Sequence, residues 1–255
     1  MVDPVVTGYK CGRRPAVFTL RSVRSAVMMG AALEPLGAPP DASNDYVAAV
    51  TVPWQNFANS RLGCCCCEDT AHTLMLRTAN VGRIVVPAVA DVVGLYSAVG
   101  GYVVGDPATD RGCSEDAMCA YLRATGFLGH KADATVSVDP KNLDHVRWVV
   151  QLAGHCRLGL NLPGYAVDQF GAGRRWDVQS WGDQSTDGHD VPVVDYRGGL
   201  LYVVSWGKIV PMTPAAVLAW AEEAHAELFY DWISAQGLSP SKFDLGALAE
   251  KLESL

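Results

Sequence analysis

The chain has 255 residues, 49% of them hydrophobic, which is enough apolar surface to build one large domain or two lobes that share a core. Its 20 basic and 27 acidic residues give a formal net charge of −7, and no stretch is rich in Lys and Arg. This composition excludes disorder, collagen and coiled coil. Nucleic-acid binding needs clustered positive charge, so we expect no nucleic-acid partner.

Eight cysteines, four of them consecutive at positions 64–67, are the most unusual feature of the composition. The chain is too long, and the cysteine spacing too irregular, for a disulfide scaffold. No secretory segment follows Met1, and the longest nearly apolar stretch, residues 84–105, is interrupted by Pro87 and Asp91. The sequence therefore predicts a soluble protein of a reducing cytoplasm, with no membrane partner.

The first 45 residues form a region of their own. Prolines and turn-forming residues at 37–44 are typical of a linker, so we predict an N-terminal arm over 1–45 and a domain over 46–255. We expect the arm to be extended and packed on the domain. The alternative is a pro-like segment or a partner-binding arm.

The domain is predicted to have helices first and strands later. Apolar residues at spacings of three and four predict helices from the cysteine run to about residue 80, over 113–125 and over 142–153. β-Branched and aromatic runs predict strands over 158–162, 191–196 and 200–206, the last two joined by a turn at Arg197-Gly-Gly199. Further helices are expected over 214–229 and 245–252. This order indicates an α+β fold with two lobes.

The cysteine run and one histidine have the character of a catalytic pair. A thiolate at the start of a helix is stabilised by the helix dipole and by free backbone N–H groups, which makes it a nucleophile. His189 lies between Gly188 and an apolar strand, which would hold its imidazole rigidly. A thiolate and a strand-borne imidazole, distant in sequence, are what Cys-His acyl transfer requires.

Three segments carry a family resemblance: Asn59-Ser-Arg-Leu-Gly-Cys-Cys65, Gly188-His-Asp-Val-Pro-Val-Val-Asp-Tyr196 and Ser205-Trp-Gly207. They resemble the papain-like cysteine peptidase superfamily, and most closely its divergent phage and bacterial members. In that superfamily a Gln stands six residues before the nucleophile and a Gly stands two before it. Asn59 and Gly63 have these spacings from Cys65, so the resemblance selects Cys65 from the run.

The resemblance implies a fold, a site and a substrate. The expected fold is two-lobed, with a helical N-terminal lobe that carries the nucleophile helix and an antiparallel β-sheet C-terminal lobe. Cys65 would be the nucleophile, His189 its base, and Asn59 an oxyanion donor. The substrate would be a peptide or protein in the cleft between the lobes, and no cofactor or metal is implied.

The third catalytic group stays open at this point. The superfamily places an Asn two residues before the Trp, where this chain has Val204, whereas counting from the histidine points to Ser205. A Cys-His dyad or a backbone carbonyl can also serve. We therefore predict a site of Cys65, His189, Asn59 and Ser205, with Ser205 the least determined member.

Other interpretations of the cysteines are weaker. Cys64 and Cys67 have the spacing of a zinc pair, with His72 five residues farther on, but no second pair follows. Lipidation lacks an adjacent basic or hydrophobic anchor. Cys66 and Cys67 are expected to be small buried hydrophobes at the start of the helix.

Two functions from different classes follow. The first is a cysteine peptidase or amidase that hydrolyses a peptide or isopeptide bond through a thioester. The second is a papain-fold protein that has lost catalysis and has a structural or interaction role, for instance in a phage particle. In the second case the chain would assemble into a viral particle and lie in the virion or in the cytoplasm of a bacterial host.

Overall fold

The computed structural model describes residues 8–229 and Trp232. The helices in this part of the chain are α1 (Leu20–Leu33), α2 (Cys65–Asn80), α3 (Val89–Gly100), α4 (Glu115–Ala124), α5 (Leu143–Ala153), α6 (Gly164–Gly171) and α7 (Pro214–Trp220). The strands are β1 (Ala132–Val138), β2 (Cys156–Pro163), β3 (Thr186–Arg197), β4 (Leu200–Ser205), β5 (Lys208–Met212) and β6 (Ala221–Phe229).

The six strands form one antiparallel sheet in the order β1-β6-β2-β3-β4-β5. Gly198 and Gly199 connect β3 to β4, and their φ values of 56° and 74° are the left-handed conformation that a two-residue hairpin turn requires. The predicted hairpin is therefore confirmed. The sheet also places β6 in its interior, between β1 and β2.

Buried apolar side chains fall into two clusters, one for each lobe. The first joins the sheet to α1 and α5, and the second joins the cysteine run to α2, α3 and α4. Helix α2 lies between the lobes and packs against β3, which is why residues 65–78 are all buried, charged ones included. The predicted α+β class with two lobes is confirmed.

The predicted helices around residues 65–80, 113–125 and 142–153 correspond to α2, α4 and α5. The helix expected over 214–229 is wrong beyond residue 220, where the chain becomes strand β6. Alanine and glutamate in that stretch favour a helix locally, but the gap between β1 and β2 is filled only by a strand that pairs with both. The helix expected over 245–252 lies outside the described residues.

The N-terminal region is not extended throughout, so that part of the prediction is wrong. Residues 20–33 form helix α1, because Thr19 caps its first turn by accepting a hydrogen bond from the N–H of Ser22, and because Met29 and Leu33 are buried against the sheet lobe. Residues 8–12 and 14–19 lie outside helices and strands, and Arg13 between them forms a single bridge with Cys113. No helix among the described residues is long and apolar enough to cross a membrane.

Candidate active site

Helix α2 begins at Cys65 and presents this residue toward the sheet lobe. The Cys65 sulfur lies beside the backbone N–H of Asp190, which follows His189 on β3. The side chain is fully buried, and this burial raises the pKa of the thiol well above its usual value, although the N–H of Asp190 acts in the opposite direction. Burial therefore disfavours a thiolate at the start of α2.

His189 is held on β3 by a hydrogen bond to Ser205 and by contacts with the rings of Trp206 and Trp176. Its Nε2 lies 2.8 Å from the Oγ of Ser205 at the end of β4, and its ring stacks on Trp206 with centroids 4.5 Å apart. Its Nδ1 is buried and has no hydrogen-bond partner among the described residues. Burial, and then the positive charge of Arg13, lowers the pKa of His189 to about 3, so the imidazole is neutral.

Trp206 takes a strained conformation to make that contact. Its φ is 44°, in the left-handed region that a bulky residue rarely adopts. Gly207 follows it at φ 74° and completes the tight turn between β4 and β5. The indole N–H of Trp206 donates to the carbonyl of Lys10 at 3.1 Å, so the ring is fixed from two sides.

Asn59 and Gly63 lie in the loop before α2. The Asn59 Nδ2 donates to the carbonyl of Leu62 at 3.0 Å, and its buried Oδ1 has no hydrogen-bond partner within the described chain. The amide that we assigned to an oxyanion therefore contributes one of its N–H groups to the loop itself. The Gly63 N–H donates to Asp110 at 2.9 Å. The catalytic assignment of Asn59 stays a prediction.

Residues 8–17 of the N-terminal region cross the cleft between the two lobes, and from here on they are called the arm. On the helical side the N–H of Lys10 donates to the carbonyl of Asn59 at 3.2 Å. On the sheet side the N–H groups of Gly12 and Arg13 both donate to the carbonyl of Gly188, at 2.9 and 2.8 Å. The arm therefore contacts both segments that carry the predicted catalytic residues.

A second pair of backbone hydrogen bonds joins the arm to Cys113, just before α4. The N–H of Cys113 donates to the carbonyl of Gly12 at 2.9 Å, and the N–H of Arg14 donates to the carbonyl of Cys113 at 3.0 Å. These bonds make Arg13 the centre of a short parallel bridge. The arm is thus bound as a short strand rather than as a loose segment.

Two glycines allow the backbones to approach closely. A Cβ added to Gly12 would lie 2.0 Å from the carbonyl oxygen of Gly63, and a Cβ added to Gly188 would lie 2.0 Å from that of Arg13. Both distances are shorter than any real Cβ contact, so no larger residue fits at either position. The close contact between the arm and the cleft therefore requires glycine at both positions.

The arm also alters the electrostatics of the site. Cys11 lies near Cys65, and burial followed by that neighbour raises the pKa of the Cys11 thiol. Arg13 places a cation near His189. All eight cysteines of the chain are free thiols. With the arm bound, the predicted nucleophile and base are both desolvated and uncharged.

A buried ionic network lies behind the site. The guanidinium of Arg157 on β2 contacts Asp190 on β3, Asp69 on α2 at 3.3 Å and Glu227 on β6 at 2.8 Å. Burial disfavours its charge, but these three carboxylates outweigh the burial and hold the pKa of Arg157 above its usual value. The network ties helix α2 to the sheet and so fixes Cys65 relative to His189. Sequence patterns did not reveal it, because its members are separated by up to 158 residues.

The described residues contain one group of three side chains that could hold a metal ion. It consists of Glu115, Glu223 and His225, whose ligand atoms lie within 4.8 Å of one another. The zinc alternative based on Cys64, Cys67 and His72 does not form such a group in the described part of the chain.

Comparisons with known proteins bear on the fold. No protein-family model matches the sequence, and no curated protein matches it either. Among solved structures, the chain is similar to xylellain, a cysteine protease from Xylella fastidiosa, at 13% identity, with 87% of this chain and 96% of that chain covered and a TM-score of 0.62.

Two further solved structures are also similar in fold to this chain. Procathepsin B from Trypanosoma congolense is 13% identical, with 88% of this chain and 86% of that chain covered and a TM-score of 0.53. A cysteine protease from Carica candamarcensis is 12% identical, with 74% of this chain and 98% of that chain covered and a TM-score of 0.51. The chain therefore has the fold of the papain-like cysteine proteases.

Proposed function

We propose that the chain is a cysteine peptidase or amidase whose cleft is closed by its own N-terminal arm. The observation that supports this most strongly is the arrangement around His189. Ser205 holds its Nε2, Nδ1 is left without a partner in the described chain, and the Cys65 sulfur lies beside the next backbone N–H. The Cys65 sulfur makes no hydrogen bond to Nδ1 in the closed form, and Nδ1 is the nitrogen with which the imidazole would accept the thiol proton once the two groups meet.

The proposed reaction follows from these positions. His189 Nδ1 takes the proton of Cys65, and the thiolate attacks the carbonyl carbon of the scissile bond. The Cys65 N–H and the Asn59 amide bind the developing oxyanion. The protonated imidazole then gives its proton to the leaving amine, and water attacks the thioester to release the acid and restore the thiol.

The closed form disfavours this proton transfer. Burial raises the pKa of Cys65 and lowers that of His189, so a thiolate–imidazolium pair is disfavoured. Displacement of the arm would readmit water and remove the charge of Arg13 from the neighbourhood of His189, and both changes favour the ion pair. We therefore propose a latent hydrolase that is activated when the arm leaves.

One observation favours the second candidate, a papain-fold protein without catalysis that has a structural role, including one in a viral particle. Cys65 has no exposed surface, and its neighbours in the run are equally buried thiols. A papain-fold protein whose cleft never opens would have an equally buried Cys65. The two candidates differ only in what happens after the arm is displaced.

The test uses the full chain with Gly12→Ala, which displaces the arm sterically. This variant should cleave a mixed library of fluorogenic peptides, and adding Cys65→Ala or His189→Asn should abolish cleavage. Cys67→Ala is the matched control, because Cys67 is a buried thiol on the same helix turn, and it should retain activity. Absence of cleavage, with Cys65 alkylated no faster than Cys67 in the folded variant, would instead identify the inert protein.

Ser205 is proposed as a positioning residue, and its substitution tests that role. In the Gly12→Ala chain, Ser205→Ala removes one hydrogen bond worth about 0.5–1.5 kcal/mol, so kcat should fall by roughly two- to tenfold with little change in KM. The pH–rate profile should shift as the imidazole loses this partner, and Ser205→Thr should restore both. An unchanged pH profile would assign Ser205 a structural role only.

A further inference from the structure

The side chain of Arg13 enters a closed pocket in the sheet lobe. Its two Nη atoms lie 2.7 Å from an oxygen of Glu223 and 2.5 Å from an oxygen of Glu222. The same guanidinium donates to Asn161 at 3.0 Å and to the carbonyl of Leu160 at 3.3 Å. The Arg13 side chain has no exposed surface, and both of its Nη atoms are hydrogen-bonded by the protein, whereas its Nε has no hydrogen-bond partner in the described chain.

The pocket holds three carboxyl groups for the one guanidinium of Arg13, and burial raises the pKa of one of them, Glu115, well above its usual value. Glu115 is fully buried, its nearer oxygen lies 3.9 Å from the Arg13 Nε, and neither of its oxygens has a hydrogen-bond partner in the described chain. His225 lies 3.6 Å from Glu115 and 3.4 Å from Glu223. Three carboxylates therefore surround one guanidinium, and unused acceptors point at the place it occupies.

A missing side chain makes room for this cation. Gly159 on β2 forms one wall, and a Cβ there would lie 2.2 Å from an oxygen of Glu115 and 2.8 Å from the Cδ of Arg13. Burial disfavours the charge of Arg13, but the carboxylates, Glu115 foremost, outweigh it and hold the pKa of the guanidinium above its usual value. The shape and the charge of the pocket thus suit the same side chain.

We infer that this pocket, formed by Glu115, Glu222, Glu223, Asn161 and Gly159, binds an arginine side chain of the peptide substrate once the arm has left. We call it the arginine pocket. The inference rests on the proposed function and names its substrate class. The backbone groups that bind the arm, the N–H and carbonyl of Cys113 and the carbonyl of Gly188, are then free to pair with a peptide strand.

The contacts discriminate between basic side chains. Four acceptors of the pocket bind the two Nη atoms, besides the carbonyl of Arg14 in the arm. This arrangement matches the planar fork of arginine, whereas a lysine ammonium is a single point charge with three donors. We therefore expect arginine peptides to bind more tightly than lysine peptides. Leucine and glutamate peptides should bind much less, since they leave buried carboxylates unpaired or add a like charge.

The first experiment empties the pocket in the full chain with Arg13→Ala and adds ethylguanidinium, which reproduces the end of the missing side chain. Ethylguanidinium should raise the Tm of Arg13→Ala saturably, with half-saturation about tenfold lower than that of ethylammonium, a difference typical of one added charge-assisted hydrogen bond. Adding Glu223→Gln should remove the effect. A rise produced by a divalent cation and not by ethylguanidinium would overturn the inference in favour of a metal site.

The second experiment does not depend on Arg13→Ala folding. The Gly12→Ala, Cys65→Ala chain keeps all pocket residues and cannot hydrolyse, so peptide binding is measured by fluorescence anisotropy. Peptides that differ only in one arginine, lysine, leucine or glutamate are compared, and the arginine peptide should bind at least about tenfold more tightly than the leucine peptide. Equal affinities would overturn the inference.

The outcomes separate the pocket from the proposed function. Arginine peptides that bind selectively, but are not cleaved by Gly12→Ala with Cys65 intact, would refute the hydrolase and support the pocket. Cleavage of peptides without any preference for arginine would support the hydrolase and refute the pocket.

Discussion

Gly12→Ala tests most directly whether the arm closes the cleft. The added methyl group would lie 2.0 Å from the carbonyl oxygen of Gly63 and 2.4 Å from its Cα, whereas ordinary contacts begin at 3.4 Å. Both neighbours are backbone atoms, which cannot rotate away. The arm must therefore retreat by about 1.4 Å at this point.

The size of the effect follows from the hydrogen bonds near Gly12. A retreat of this size breaks three of them: those from the N–H groups of Gly12 and Arg13 to Gly188, and the one from Cys113 to Gly12. At about 1 kcal/mol for each bond, the bound arm loses about 3 kcal/mol relative to the displaced arm. The displaced fraction should then increase by about a hundredfold.

Alkylation of Cys65 measures that fraction. Tandem mass spectrometry locates iodoacetamide adducts within the cysteine run, and the Cys65 rate follows the displaced fraction when the arm moves faster than the reagent reacts. Gly8→Ala is the control, because a Cβ at Gly8 meets nothing closer than 3.9 Å. Equal Cys65 rates in the two variants, at equal Tm, would refute the conclusion that the arm covers the thiol.

Two further predictions concern stability. Arg157→Met leaves three buried carboxylates without their cation, so urea titration should show a loss of about 3–5 kcal/mol in the free energy of unfolding. The control, Arg175→Met, breaks an exposed pair and should cost at most about 1 kcal/mol. A loss below about 1 kcal/mol for Arg157→Met would contradict the stabilising role of the buried ionic network. The pKa of His189 is about 3 in the folded chain, against an ordinary value of 6.5. As the pH falls below about 6.5, the unfolded chain therefore binds a proton that the folded chain does not. The free energy of unfolding then falls by up to about 1.4 kcal/mol per pH unit until about pH 3. His189→Gln removes this contribution and should lose about 2 kcal/mol less than the parent chain between pH 7 and pH 5, whereas equal losses would show that His189 is not buried in its neutral form.

Local patterns predict much of this fold. Helices α2, α4 and α5 each have a distinct apolar stripe or a clear first turn, and the β3–β4 hairpin has the glycines that its turn needs. Strand β6 was predicted as helix, since its alanines and glutamates favour one and its strand state depends on pairing with β1 and β2. Such pairing is decided by distant segments, which no local window includes.

The candidate site, like the fold, can be predicted from the sequence only in part. Its predicted members follow from spacing and from a family resemblance, and the structure brings Ser205, not Val204, to the histidine. The position of the arm was not predicted. Its residues show no strong local pattern, and its binding depends on glycines and carboxylates about 50 to 210 residues away.

The interior position of β6 sets an order on folding. Strands β1 and β2 cannot be completed until β6 has been synthesised, about 90 residues after β1, and until then both leave unpaired edges exposed. Glu222 and Glu223 belong to that same late strand. Arg13, made some 210 residues earlier, therefore lacks these two carboxylates until the sheet is nearly complete, so the nascent chain passes through a stage in which the arm is held without them.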